Sequence, residues 1–351
     1  MIMKDLKPGA TRALFLSTTA FAVSFAVWGL VAALAPTFAQ AYGLSAKSKS
    51  LMIAIPVLLG SLGRLPAGML ADRFGGRKVF TLLLLLSAVP AIGIGLSTSY
   101  AQLLWLGVFI GMAGTSFAIG VSFTSRWFTK DQQGTALGIF GMGNIGQSVA
   151  VFGAPVLALW LSSWRPVFYI FAGISLVWGL VFYLFAHDAV SSVKPKTLSE
   201  SLGVLRRSPL AWVLSLFYFL TFGGFVAFSI YLPTLLKDLF QLSPADAGAR
   251  TAGFVLLATF MRPVGGILAD RMGGGRVLVG VVSLGLPIGS AKTVQEGKVC
   301  CISAWVDSFD HVARNVKLRI CAKLSGRIVL TSKDRNRLVP TENIPKQRRI
   351  G

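Results

Sequence analysis

The stretch Gly60–Phe80 reads GSLGRLPAGMLADRFGGRKVF, in which one arginine, Arg64, interrupts an apolar segment that ends in a charged, glycine-rich turn. A second copy, Thr259–Leu278, reads TFMRPVGGILADRMGGGRVL and places Arg262 at the equivalent position, 198 residues further on. A repeat of this length predicts two structurally equivalent halves, in which the two arginines have equivalent roles.

The composition indicates that these two segments lie in a membrane. Of the 351 residues, 54% are hydrophobic and only 13% are charged, which is too apolar for a water-exposed surface. About 20 apolar residues are needed to cross a bilayer as a helix. Eight predicted spans have that length: Ala13–Phe38, Leu51–Ala71, Val79–Tyr100, Ala101–Ser125, Gly134–Trp164, Pro166–Ala186, Ser208–Leu236 and Thr251–Ala269, with a ninth from Val277. The sequence therefore predicts an all-α polytopic membrane protein, with the lipid bilayer as its partner.

The spans divide into two groups. Residues 13–186 form a predicted N-terminal six-helix bundle, residues 187–209 a cytoplasmic linker, and residues 210–285 the start of a second, incomplete bundle. The composition then changes, since 18 of the last 66 residues are charged against 29 of the first 285, and all three cysteines fall there. We expect residues 286–351 to be an atypical basic tail, out of frame after a frameshift or truncation. A genuine basic cytoplasmic extension is the alternative.

The net charge of +21 suggests nucleic-acid binding, but the positions of the charges argue against it. Before residue 286, fourteen Lys and Arg residues fall in the segments on the N-terminal side of the membrane and five in the segments opposite. This asymmetry follows the positive-inside rule. It predicts a protein of the inner cell membrane with its N-terminus in the cytoplasm. We therefore expect no nucleic-acid partner.

Glycines cluster at the start of the fifth span. The string Gly141–Gly146 matches the G-x-G-x-x-G dinucleotide fingerprint, but no strand precedes it and no acid follows at the required distance. Gly134 and Gly138 form a G-x-x-x-G pair, which is typical of close helix packing. Asn144 either lines a substrate site or makes an interhelical hydrogen bond. The sequence predicts no cofactor, no metal site and no enzymatic constellation.

The charges inside the spans indicate the substrate class. A charged side chain at the bilayer centre costs about 2.5–3.5 kcal/mol on insertion scales, so a buried arginine normally has a carboxylate partner. Every acid before residue 286 lies at a helix end or in a loop. Arg64 and Arg262 lie eight residues from Asp72 and Asp270, which places both about 12 Å from the corresponding helix ends. The missing counterion is then the cargo, and a planar oxyanion fits the planar guanidinium. Arginines satisfied by backbone carbonyls and water are the alternative.

The repeated turns Gly-x-Leu-Ala-Asp-Arg resemble the loop motif of the major facilitator superfamily, which has two six-helix bundles. Their candidate conformational residues are Gly68, Asp72 and Arg73 in the first copy and Gly266, Asp270 and Arg271 in the second. Residues 125–138 and the run from Gly141 to Pro155 resemble, more narrowly, the nitrate/nitrite porter family and its first nitrate signature. The pattern stops after residue 285, and the second signature of that family is absent.

The resemblance implies a set of substrate-binding residues. In that family two arginines hold the anion and aromatic side chains surround it, which implies a site of Arg64, Arg262, Phe117, Tyr218 and Phe222, joined by Gly143, Asn144 and Gly146 from the signature. The implied function is transport of nitrate or nitrite by a monomer through alternating access, as nitrate/nitrite antiport. A non-transporting remnant and a carrier of another small anion are the alternatives.

Overall fold

The computed structural model describes residues 6–189, 207–229 and 244–278, with single positions 200, 203, 232, 241, 280 and 281. Within these residues, eight helices are long and apolar enough to cross a membrane. They are α1 Ala10–Ala33, α2 Ala46–Phe74, α3 Gly76–Leu96, α4 Tyr100–Ser125, α5 Lys130–Trp160, α6 Arg165–Phe185, α7 Pro209–Ser229 and α8 Pro244–Met272. A short helix, Ala35–Ala41, joins α1 to α2.

The eight helices confirm the predicted fold class and match the predicted spans. α1 ends at Ala33 instead of Phe38, because Pro36 has no N–H to donate to Ala32 and begins the next helix. Most of the predicted ninth span, which begins at Val277, lies outside the described residues, as do the tail 286–351 and most of the linker 187–209. The described residues up to Gly274 form one compact unit, and those from Gly275 belong to a second.

α1 is the most enclosed of the eight helices. Its most apolar window is 72% buried, against 17% for α2, and its Phe21 and Phe25 pack edge to face with ring centroids 4.4 Å apart. Large apolar side chains such as Trp105 and Trp160 are instead 70% and 83% exposed, as expected for a surface that faces lipid. Because lipid is as apolar as these side chains, close packing stabilises the bundle more than removal from water does.

α5 and α8 approach each other through glycine residues. A Cβ atom placed on Gly134 would lie 2.6 Å from the carbonyl oxygen of Gly266, and one on Gly138 would lie 2.7 Å from that of Arg262. We call the contact formed by Gly134, Gly138 and Gly266 the glycine seam. The side chain of any other residue would force the two helices apart, so the seam explains the G-x-x-x-G spacing by packing.

Four of the helices depart from regular α-helix within their length. α4 contains a 3₁₀ segment at Gly111–Thr115, α5 one at Met142–Asn144, and α7 a π-helical turn at Phe219–Gly223. α2 is interrupted at Gly63, where Pro66 lacks the N–H that the Leu62 carbonyl would accept. Irregular backbone at membrane depth is tolerated where it is buried in protein or lines a cavity, so these segments point to a functional site.

Candidate functional site

Arg64 lies where α2 is interrupted. Its Nε donates to the carbonyl oxygen of Gly114 over 3.5 Å, a long hydrogen bond to the 3₁₀ segment of α4. The approach is possible because α2 and α4 also meet through glycine, since a Cβ on Gly60 would lie 2.9 Å from the Gly111 carbonyl oxygen. The Gly114 carbonyl is therefore a weak acceptor for the Nε–H of Arg64. The other N–H groups of the guanidinium take no part in that hydrogen bond.

An aromatic wall borders Arg64. The Cζ atom of Arg64 lies 4.8 Å from the ring centroid of Phe222 and 6.0 Å from that of Phe117. Tyr218 and Phe222 stack with centroids 5.2 Å apart and planes 7° from parallel, and Phe117 stacks on Phe222 at 6.1 Å. The faces of these rings attract a cation, which partly compensates a guanidinium group that is away from water.

Arg262 has different partners, although it is the repeat counterpart of Arg64. The side-chain oxygen of Asn144 faces its guanidinium, 2.7 Å from Nη2, 3.0 Å from Nη1 and 3.2 Å from Nε. The oxygen is assigned to this side because all three neighbours are donors. Phe225 lies 5.4 Å from the Arg262 Cζ, and Asn144 is fully buried. Asn144 therefore faces a side chain of another helix, and its predicted role in lining the substrate site stays a prediction.

Neither arginine meets a carboxylate among the described side chains. The ion pair present there joins Asp72 to Arg126, with 2.7 Å between Oδ1 and Nη2. Asp72 is eight residues from Arg64 along α2, at the end of the helix. Both guanidinium groups are thus placed inside apolar helices with only neutral partners in the described part of the chain.

A cavity of about 680 Å³ opens beside Arg64. It lies between α2 and α7, with Trp28 of α1 at its back, and Arg64 is the charged residue in its lining. Its α2 lining extends from Leu51 to Arg64, which is the half of α2 remote from Asp72. Tyr218 and Phe222 also line it, so the cavity extends from the aromatic wall along the half of α2 remote from Asp72.

Gly143 and Gly146 face α1. A Cβ on Gly143 would lie 2.8 Å from the Thr18 carbonyl oxygen, and one on Gly146 would overlap the Ala22 carbonyl. Packing of α1 against α5 therefore explains why these positions are glycine. Their implied role in substrate binding remains a prediction, and their contacts with α1 do not require it.

The two copies of the loop motif have different contacts. Asp72 accepts from Ser122 Oγ at 2.5 Å and from Arg126, both at the end of α4. Asp270 instead caps α5, accepting from the Gly134 and Thr135 backbone N–H groups at 2.8 Å and 2.6 Å. The carboxylate of Asp270 thus lies where the positive end of the α5 dipole stabilises it.

The remaining residues of the motif vary in their packing. A Cβ on Gly68 would reach only Ala118, at 3.8 Å, while Gly266 belongs to the glycine seam. Arg73 is exposed, with its Cζ 5.3 Å from the centroid of the Phe74 ring, and Arg271 is also exposed.

The sequence prediction missed Gly114, whose carbonyl accepts from Arg64, and Thr135, which donates to Asp270. A glycine-rich run and the start of a helix marked their positions.

The eight apolar helices define a polytopic membrane protein. The family model described as the Major Facilitator Superfamily matches residues 16–292. Among solved structures, a bacterial homologue of the human lysosomal transporter Spinster, inward-facing and unoccupied, is similar with a TM-score of 0.56 and 21% identity, over 81% of this chain and 68% of that one. The human organic anion transporter MFSD10 is similar with a TM-score of 0.53 and 17% identity, over 86% and 83% of the two chains. These two likenesses concern the fold alone.

Sequence relatives narrow the family. The nitrite extrusion protein of Bacillus subtilis is 41% identical over 76% of this chain and 67% of its own length. The probable nitrate/nitrite antiporter NarK1 of Thermus thermophilus is 37% identical over 84% and 69%, and the probable nitrate/nitrite transporter NarK2 of Mycobacterium tuberculosis 36% over 75% and 68%. The chain belongs to the nitrate/nitrite porter family of the major facilitator superfamily. It is therefore a transporter and not an enzyme.

Proposed function

We propose that the protein carries nitrate and nitrite across the membrane with the anion held between Arg64 and Arg262. The observation that carries this proposal is the pair of guanidinium groups within apolar helices, without a carboxylate partner among the described side chains. A charge at that depth needs a counterion. Relatives at 36–41% identity bear the names of nitrate or nitrite transporters, which supports these anions as the counterion.

The chemistry of the site suits a small planar anion. A guanidinium group donates two parallel N–H bonds to two oxygens of an oxyanion in one plane. The stacked rings of Tyr218 and Phe222 provide a flat wall next to Arg64. An anion lying between the two arginines would thus exchange its hydration shell for charge-assisted hydrogen bonds and aromatic edges or faces, without any covalent step.

Alternating access is the mechanism we propose, because the cavity and the glycine seam lie on opposite sides of the arginines. The cavity extends from Arg64 toward Leu51, at the end of α2 remote from Asp72. The seam extends from Arg262 toward Asp270 and brings α5 and α8 into backbone contact. An anion would reach Arg64 from the cavity side, and separation of α5 from α8 would release it on the other side.

The start of α1 lies on the seam side, since Lys7 donates to the Arg126 carbonyl at the end of α4, and we propose that this side is the cytoplasm of a cell bounded by this inner membrane. With the three native cysteines replaced by serine, we expect Lys47→Cys to react with a membrane-impermeant maleimide in intact cells. Lys130→Cys should react only after permeabilisation, because it lies at the opposite end of the bundle. Both positions are exposed, so burial does not limit labelling. Labelling of both from one side would contradict this topology.

Exchange of one anion for another is the coupling we propose. Among the described residues, the acids of the spanning helices lie within three residues of a helix end, and His187 follows α6. No carboxylate or imidazole there is positioned at mid-membrane to carry a proton.

Nitrite-loaded proteoliposomes should therefore take up labelled nitrate without a proton gradient, and the rate should change little across about pH 5 to 8, where histidine titrates. Liposomes loaded with gluconate provide the control and should show little uptake. A strict requirement for an inward proton gradient would contradict exchange, and absence of uptake under every condition would contradict the transport function itself.

A further inference from the structure

The cavity beside Arg64 is much larger than nitrate or nitrite. Its volume is about 680 Å³, within the range of about 300–1,000 Å³ in which pockets enclose drug-sized ligands. Its lining extends along α2 from Leu51 to Arg64, which is about 20 Å of helix. A small inorganic anion would occupy only the part next to the guanidinium group. Most of the cavity is therefore available to a larger ligand.

The lining away from Arg64 is mainly apolar. Aliphatic side chains of α2 face aromatic and aliphatic side chains of α7, and Trp28 of α1 lies behind them. Leu58 and Phe219 are 63% and 62% exposed although they line the cavity, so a ligand can reach them. Burial of an apolar body against these side chains would stabilise the bound state.

The polar side chains of the lining restrict the charge of that ligand. The hydroxyl groups of Ser61 and Ser215 each donate to a backbone carbonyl of their own helix over 2.8 Å. The indole N–H of Trp28 donates to the Pro56 carbonyl over 3.3 Å. These donors are already used, and Arg64 supplies the charge of the described lining. One cation without a carboxylate favours a ligand with one negative charge.

We propose that the cavity binds aromatic monocarboxylates, with the carboxylate at Arg64 and the ring between α2 and α7. A carboxylate is a planar oxyanion that accepts two parallel N–H bonds from a guanidinium group. Its aromatic body can stack, offset, on rings such as those of Tyr218 and Phe222, whose planes are 7° apart. The ligand would also compete with nitrate for Arg64, and this part of the inference rests on the proposed function.

Naphthoate and acetate test the proposal, because each carries one carboxylate and only naphthoate has an aromatic body. Titration calorimetry on the purified full-length protein, with protein-free detergent micelles titrated in parallel, should show naphthoate binding at least about tenfold more tightly than acetate. Naphthalenemethanol, which has the ring without the charge, should bind about tenfold more weakly than naphthoate. Equal binding of the alcohol and the acid would show that the cavity takes any apolar group, lipid chains included, and would overturn the proposal.

The substitution Ala227→Trp tests the cavity separately from the position of nitrate. Ala227 is an exposed lining residue about 8 Å along α7 from Phe222, so a larger side chain there does not disturb the buried core. Helical side chains lean toward the N-terminus of their helix, so the added indole would fill the cavity on the side of Phe222. We expect naphthoate to bind about tenfold more weakly and nitrate to stay within about twofold of the parent.

Leu214→Trp is the matched control, because Leu214 is a half-exposed residue of α7 outside the cavity lining. That variant should bind naphthoate as the parent does. Unchanged naphthoate binding by Ala227→Trp would overturn the proposal. Nitrate exchange that naphthoate does not inhibit would overturn this inference alone, whereas a parent that binds naphthoate but neither binds nor exchanges nitrate would overturn the proposed function and leave the aromatic site standing.

Discussion

Replacement of Arg64 by lysine is expected to remove most nitrate binding, by about 2 kcal/mol or a factor of about 30 in the dissociation constant. Lysine keeps the positive charge. It lacks the planar pair of donors and the flat group that lies 4.8 Å from the Phe222 ring centroid. The loss therefore measures directional hydrogen bonding and stacking, separately from charge.

Titration calorimetry with nitrate measures this loss on the purified protein. Arg165→Lys is the matched control, because Arg165 is an exposed arginine at the start of α6 that also lies beside an aromatic ring, that of Trp164. That variant should bind as the parent does. If Arg64→Lys bound nitrate within about twofold of the parent, positive potential alone would be sufficient and the paired-donor site would have to be abandoned.

The substitution Gly138→Ala is expected to cause a large loss of transport through conformation and not through binding. The added Cβ would lie 2.7 Å from the Arg262 carbonyl oxygen and 3.0 Å from the Pro263 Cα, both backbone atoms that no rotamer change can move. Overpacking of this kind costs about 1–3 kcal/mol. That energy would shift the equilibrium about 5- to 150-fold toward arrangements in which α5 and α8 are apart.

Spin labels at Lys130 and Met272, at the adjoining ends of α5 and α8, would report this shift as a longer distance. Gly153→Ala offers a control on the same helix, since a Cβ there has no atom within 4 Å. We expect that variant to transport at the parental rate. Equal transport by the two alanine variants would show that the glycine seam does not need to close.

The spans could be predicted from the sequence because the bilayer imposes one length on every helix. The predicted Val79–Tyr100 differs from the observed Gly76–Leu96 by only a few residues at each end. The irregular segments could not be predicted in this way. Gly111–Thr115 continues the apolar run of α4, and its 3₁₀ geometry depends on the close approach of α2, which hydropathy does not describe.

The repeat was informative about position and misleading about environment. It identified Arg64 and Arg262 as counterparts and implied equivalent roles, yet only Arg262 lies against a carboxamide among the described side chains. Asn144 precedes Arg262 by 118 residues, so no local pattern links the two. Asp72 and Asp270 diverge in the same way, with a cation as partner for the first and helix N–H groups for the second.

The glycine seam also bears on how the conformational balance of such a carrier responds to temperature. Glycine has no side-chain rotamers, so closing α5 on α8 orders no side chain at Gly134, Gly138 or Gly266, and the short side chain of Asp270, which caps α5, is ordered beside them. The entropy of closing is correspondingly small, and the two arrangements can stay close in free energy over a range of temperatures. A contact built from long side chains would lose that entropy in every cycle, and its conformational balance would drift as the temperature changed.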